Sequence, residues 1–172
     1  MRVPATLAAS AFGAAALLLA SVASAGAADK QVARGKYLVG LAGCNDCHTP
    51  GYFLGKPDMD QYLAGSDVGF AIPGLGVFVG RNLTPDPDTG LGKWSIKEIV
   101  TALTAGHRPD GRELAPIMPW RAFASLSKYD AVAIAKFLKS LKPVKHEVPG
   151  PFAPGQTTST LVMKVVPPEV AQ

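Results

Sequence analysis

Gly43-Cys44-Asn45-Asp46-Cys47-His48 decides the reading of this chain, because it spends both of the protein's cysteines within one helical turn and follows them with a histidine. Thiols at i and i+3 project from the same side of a helix. Each can therefore add across one vinyl group of a haem, and the adjacent imidazole is carried under the porphyrin as a ligand to iron. Two other uses of Cys-x-x-Cys fit less well. A thioredoxin-type redox pair belongs to a βαβ setting, which the flanking residues do not provide. A zinc site needs two more ligands, of which only His107 and His146 remain. The expected cofactor is one haem c held through Cys44 and Cys47, with His48 on one side of the iron.

Outward from the motif, the pattern is helical at both ends and irregular between. Val32, Leu38, Val39 and Ala42 recur at helical spacing after Asp29 and predict a helix over 29–42. Gly35 inside it lowers helix propensity, which calls for the close approach of another backbone or a large ring. Residues 51–92 are rich in Gly and Pro, with a short helical stretch near 59–63 and little other periodicity. So long an irregular region in a compact domain implies that it wraps something. Ser95 and Glu98 form a capping box, Trp94 and Ile99 a hydrophobic staple, and Ile96, Ile99, Val100 and Leu103 one apolar face that ends at Gly106. Ser127 and Asp130 repeat the signature before Ala131, Ile134, Phe137, Leu138 and Leu141, and Pro143 stops this last helix. The tail over 147–172 is Pro-rich with one β-prone run, 161–166, and is expected to lie extended over the domain.

The other side of the iron has five candidates: Met59, Met118, Met163, His107 and His146. Met118 leads, because Pro116 and Pro119 stiffen the loop that presents its thioether between the second and third helices. Met59 reads as packing in the wrapping segment and Met163 as part of the tail. His107 reads as a surface residue at a helix C-terminus and His146 as solvent-exposed.

Composition bounds the rest. The chain has 172 residues, 48% hydrophobic and 17% charged, which excludes a disordered polymer and suits one domain. Two cysteines cannot make a disulfide scaffold. The net charge of +4 is spread along the chain with no dense basic block, so no nucleic-acid partner is expected. Arg2, an uncharged Ala- and Leu-rich stretch over 5–22 and Ala23-Ser24-Ala25 have the layout of a secretory signal peptide. We therefore expect a leader at 1–25, export to the periplasm and no membrane span after cleavage, a retained anchor being the alternative.

The chain resembles the class I c-type cytochromes, and within them the single-haem domains that serve periplasmic dehydrogenases. The resemblance runs through Arg34-Gly35-Lys36-Tyr37-Leu38, the Cys44–His48 motif, Asn82-Leu83-Thr84-Pro85-Asp86 with Thr89-Gly90, and Trp94-Ser95. It continues through Asp110-Gly111-Arg112, Leu114-Ala115-Pro116, Met118-Pro119-Trp120 and Asp130-Ala131. It implies an all-α class I cytochrome c fold, three to five helices with long loops wrapped round one covalent haem, occupying 26–146. It also implies His48 and Met118 as axial ligands, Gly35 and Tyr37 meeting Phe137 or Leu141 where two helices cross, and Leu63, Phe70, Ile72, Leu75, Val77 and Phe78 around the haem. A carbonyl of Gly55-Lys56-Pro57 is expected to hold the imidazole's other N–H. The implied function is electron transfer, not catalysis, with a dehydrogenase as donor and an oxidase or another cytochrome as acceptor. The alternative is a haem enzyme or sensor with an open or displaceable sixth site.

Three weaker patterns remain. Gly74-Leu75-Gly76 lacks the third glycine of a phosphate loop and reads as flexible loop. Asn82-Leu83-Thr84 matches a glycosylation sequon only formally. Lys128, Lys136, Lys139, Lys142 and Lys145 form either a solvated face or a patch that steers an acidic redox partner.

Overall fold

A computed structural model describes residues 30–166. The expected leader at 1–25 lies outside the described residues, as does the end of the tail. Helix α1 runs over residues 30–41, α2 over Cys44–His48, α3 over Ile96–Ala105, α4 over Trp120–Phe123 and α5 over Lys128–Ser140. None of the described helices is long and apolar enough to cross a membrane.

The caps read at Ser95 and Ser127 are present, while the cap expected at Asp29 lies outside the described residues. Ser95 Oγ accepts from the Glu98 N–H while the Glu98 carboxylate accepts from the Ser95 N–H, closing the capping box of α3, and Gly106 ends that helix at φ 74°. Ser127 caps α5 through the Asp130 N–H. Asp130 does not close a box there, because its carboxylate turns to Arg34 of α1 at 2.9 Å.

The apolar faces of α1, α3 and α5 meet in one core of Leu38, Val39, Ile99, Ile134, Phe137 and Leu138, joined by Leu63 and Leu91 from the loops. Each such side chain contributes about 1.5–3 kcal/mol on burial. Gly35 sits where α1 crosses α5: a Cβ there would come 2.0 Å from the Ala133 carbonyl oxygen and 2.8 Å from Phe137 Cβ. Tyr37 does not share that crossing. It lies 59% exposed, with the Arg34 guanidinium over its ring.

The fold is not purely helical. Strands β1 (Val68–Ile72) and β2 (Gly76–Val79) form an antiparallel hairpin within the region expected to be irregular, and β3 (Leu161–Lys164) lies parallel to β1, giving the order β2-β1-β3. Gly74, at φ 75°, makes the hairpin turn, so Gly74-Leu75-Gly76 is a turn element. β3 falls within the β-prone run of the tail. Before it, Phe152 exchanges two backbone hydrogen bonds with Val77, both 2.9 Å, and packs with Val79 and Val148 in a second small core.

Buried polar groups tie loops to elements. Asn82 Nδ2 donates to the Val144 carbonyl at 2.8 Å and to Thr89 Oγ1 at 3.0 Å, while its Oδ1 accepts from the Thr84 N–H and hydroxyl. With 2% of its surface exposed, Asn82 is a structural residue and no acceptor for a glycan. Lys139 donates to the carbonyls of Leu91, Gly92 and Trp94, and Lys136 to Gln31, so two of the five clustered lysines hold the fold together.

Candidate functional site

α2 carries three of the four residues singled out by sequence. Gly43 starts it at φ 63°, a conformation that favours glycine, and a Cβ there would meet the Asp46 carboxylate at 2.9 Å. One turn then brings Cys44, Cys47 and His48 together, both thiols free and half-buried. Burial pushes the Cys44 thiol up to about 11 and the Cys47 thiol upward as well. The reactive thiol of a redox pair is typically shifted the other way, toward an accessible thiolate. Among the described residues no three His, Cys, Asp or Glu side chains converge, so the zinc reading gains no support.

Two backbone segments frame the turn. The Gly65 N–H donates to the His48 carbonyl at 2.8 Å, and the Leu63 N–H to Thr49 Oγ1 at 3.0 Å. Ser66 N–H donates to the Gly80 carbonyl, and Leu83 N–H to the Leu63 carbonyl. Gly80 lies so close that a Cβ would be 1.6 Å from the Cys47 carbonyl oxygen. This close approach brings the next residue's carbonyl to the ring: His48 Nδ1 lies 2.7 Å from the Arg81 oxygen.

A carbonyl only accepts, so Nδ1 carries a proton and donates, and in the neutral ring Nε2 is then the nitrogen with the lone pair. Burial pushes the His48 pKa down, while the Arg81 carbonyl pulls it partly back. Held in this way, the neutral form of the ring presents Nε2 to a metal. The partner expected from Gly55-Lys56-Pro57 is not used. Its loop bonds elsewhere, with the Lys56 N–H on the Gly51 carbonyl. The sequence signal that could have found the true partner is Gly80, two residues before the buried Asn82.

Met118 stands on a different element, half-buried in the turn before α4, its N–H on the Ala115 carbonyl at 2.9 Å. Among the described residues no hydrogen bond joins that loop to α2. A cleft of about 250 Å³ separates the loop from the hairpin, lined by Leu75, Phe78, Leu114, Ala115 and Trp120 among others. Of the remaining residues expected around the haem, Leu63 is fully buried in the helical core, Phe70 packs edge-on against Phe53 and Val77 joins the second core. Met59 and Met163 are exposed. His107 is exposed and bridged to Glu113, as expected of a surface residue. His146 is not solvent-exposed as expected: it is half-buried, with Nδ1 2.9 Å from the Ala64 carbonyl.

Two free thiols one turn apart, an imidazole with Nε2 bare and a tight glycine cradle behind them form a donor set that fits a haem c. Similarity to known proteins agrees. The chain is 36% identical over 114 residues to the cytochrome c subunit of a quinone-linked alcohol dehydrogenase from Gluconobacter oxydans, covering 66% of this chain and 22% of that protein. It is 34% identical over 129 residues to the fructose dehydrogenase cytochrome subunit of Gluconobacter japonicus, covering 71% and 25%. It is 32% identical over 149 residues to the gluconate 2-dehydrogenase cytochrome c subunit of Pantoea cypripedii, covering 80% and 32%. The chain thus spans a third or less of these relatives' length. No protein-family model matches it. These homologues are cytochrome c subunits of dehydrogenases, consistent with a class I c-type cytochrome domain in this chain. The similarity supports a role in electron transport, that of the cytochrome subunits it matches.

Proposed function

We propose that this chain is a periplasmic electron carrier with a single haem c, joined to Cys44 and Cys47 and ligated by His48 and Met118. The observation that carries the reading is the orientation of His48, whose Nδ1 is engaged by the Arg81 carbonyl so that Nε2 is the nitrogen left for a ligand bond, beside two thiols on one turn. When bound, haem c supplies reversible one-electron chemistry at its iron, with a potential raised by a thioether ligand. The protein's part is to anchor through the cysteines, orient His48 and present Met118 from a proline-stiffened loop. Phe78, Leu114 and Trp120 give apolar lining to the cleft between that loop and the hairpin.

The groups that could assist bond cleavage are otherwise engaged, which favours a carrier over a haem enzyme: Arg108 is paired with Asp110 and stacked on Trp94, and His107 faces outward. The relatives' names support a dehydrogenase as donor; the acceptor we assign is an oxidase or another cytochrome. We assign residues 1–25 to an export leader, 26–146 to the cytochrome domain and 147–172 to a tail packed upon it.

The test is the optical spectrum of the oxidised protein with and without Met118→Ala. A weak long-wavelength band of thioether-bound ferric iron, present in the wild type and lost in the variant, is the expected result. A wild type without that band, with a high-spin spectrum, overturns the assignment and favours a ligand-binding or peroxidatic haem.

A further inference from the structure

The Arg81 side chain does something that the haem-attachment turn alone does not require. Its carbonyl receives the His48 Nδ1–H, and its half-buried guanidinium reaches the other way, donating to the carbonyls of Val148 and Gly150 after α5. That segment is a firm abutment. Val148 packs with Val79 and Phe152, Phe152 is paired with the Val77 backbone, and Gly65 leaves no space behind Val148, since a Cβ there would lie 2.3 Å from Val148 Cγ2. A guanidinium is an unfavourable choice for mere filling. Burial disfavours its charge first, and the nearby Arg108 and Arg112 disfavour it further, with only Glu147 acting the other way. What an apolar side chain of equal length could not do is donate to two carbonyls at once.

We propose that Arg81 is a positioning residue for the axial histidine: by stapling its own peptide to Val148 and Gly150, it fixes the carbonyl that holds His48 with Nε2 free. The tail is thereby coupled to the iron-binding side of the molecule through one residue. The significance of this coupling rests on the reading of His48 as an iron ligand, but the coupling itself is a property of the polypeptide and is measured without reference to iron.

The experiment is solvent exchange of the His48 Nδ1 proton, followed by NMR on the full ¹⁵N-labelled chain at one pH. In Arg81→Gln this proton exchanges about tenfold faster than in wild type, having lost protection worth roughly one hydrogen bond, and Arg81→Lys falls between. The amide protons of Gly65, bonded to the His48 carbonyl, and Leu83, bonded to Leu63, stay within about twofold because the frame itself is intact. Unchanged exchange at Nδ1, or an equal rise at Gly65 and Leu83, overturns the proposal, the latter revealing a merely structural arginine. If Arg81→Gln does not fold, Arg81→Lys and Phe152→Ala, which loosens the abutment and leaves Arg81 in place, are read by the same criteria. Failure of the haem reading would appear separately, in the spectrum of the wild type, and would leave this comparison valid.

Discussion

Gly80 has no room for a methyl group, since a Cβ would stand 1.6 Å from the Cys47 carbonyl oxygen and 3.4 Å from His48 Nδ1. Both neighbours are rigid, one a backbone carbonyl and the other a ring held by Arg81, so α2 or the 80–83 segment must move. Gly80→Ala is expected to destabilise the fold by about 1–3 kcal/mol, the range for overpacking, and to lower the fraction of chain that retains covalent haem. Denaturant unfolding and the haem-to-protein absorbance ratio measure the two effects. The thiols and the imidazole were legible in sequence because their chemistry depends on spacing within one turn. The carbonyl that sets the tautomer was not, because it belongs to a residue 33 positions away, and any residue type could have supplied it.

At the scale of elements, the crossing of α1 and α5 depends on two features of different kind. Gly35 permits contact: in Gly35→Ala the Cβ meets the Ala133 carbonyl at 2.0 Å, so the helices must part and stability falls. Gly40→Ala on the same helix is the control, with nothing within 4 Å of the new Cβ, and it should stabilise by about 0.5–1 kcal/mol through helix propensity alone. Thermal unfolding of the two variants should therefore shift in opposite directions.

The second feature is the Arg34–Asp130 pair, whose hydrogen bond holds the Asp130 carboxyl below its ordinary range. A depressed carboxylate pKa contributes stability that is present above the unfolded-state value and lost as pH falls through the folded-state value. The stability gap between wild type and Asp130→Asn is therefore expected to be widest near neutral pH and to close in acid. Denaturation at both pH values measures it, and a gap that widens in acid would contradict the assignment. The caps of α3 and α5 were readable because capping acts over three residues. The role of Asp130 in pairing rather than boxing depends on α1, 96 residues away.

For the molecule as a whole, the tail is part of the body. Phe152, 9% exposed, closes a small core with Val79, Val148 and Val77 that no helix shares. Phe152→Ala should destabilise by about 3 kcal/mol, as for other buried aromatic truncations, provided that this core and the helical core unfold together. A calorimetric transition that splits in two would show instead that the sheet and tail form a separate cooperative unit.

Although α4 lies in a stretch read as loop, the sequence by itself determined α1, α3 and α5, the serine caps of α3 and α5, the crossing glycine and the Cys44–His48 turn, because each is encoded in residues a few positions apart and obeys helical geometry. It also marked Met118 as the leading candidate for a second ligand, from two prolines in one loop. Only the tertiary structure decided the β2-β1-β3 sheet, the burial of Asn82 and half-burial of His146, the use of Lys136 and Lys139 as internal donors and the choice of Arg81 to hold His48. The physical reason is sequence separation. β1 and β3 are short, and they pair across some ninety residues, so their stability comes from partners that local propensity cannot name.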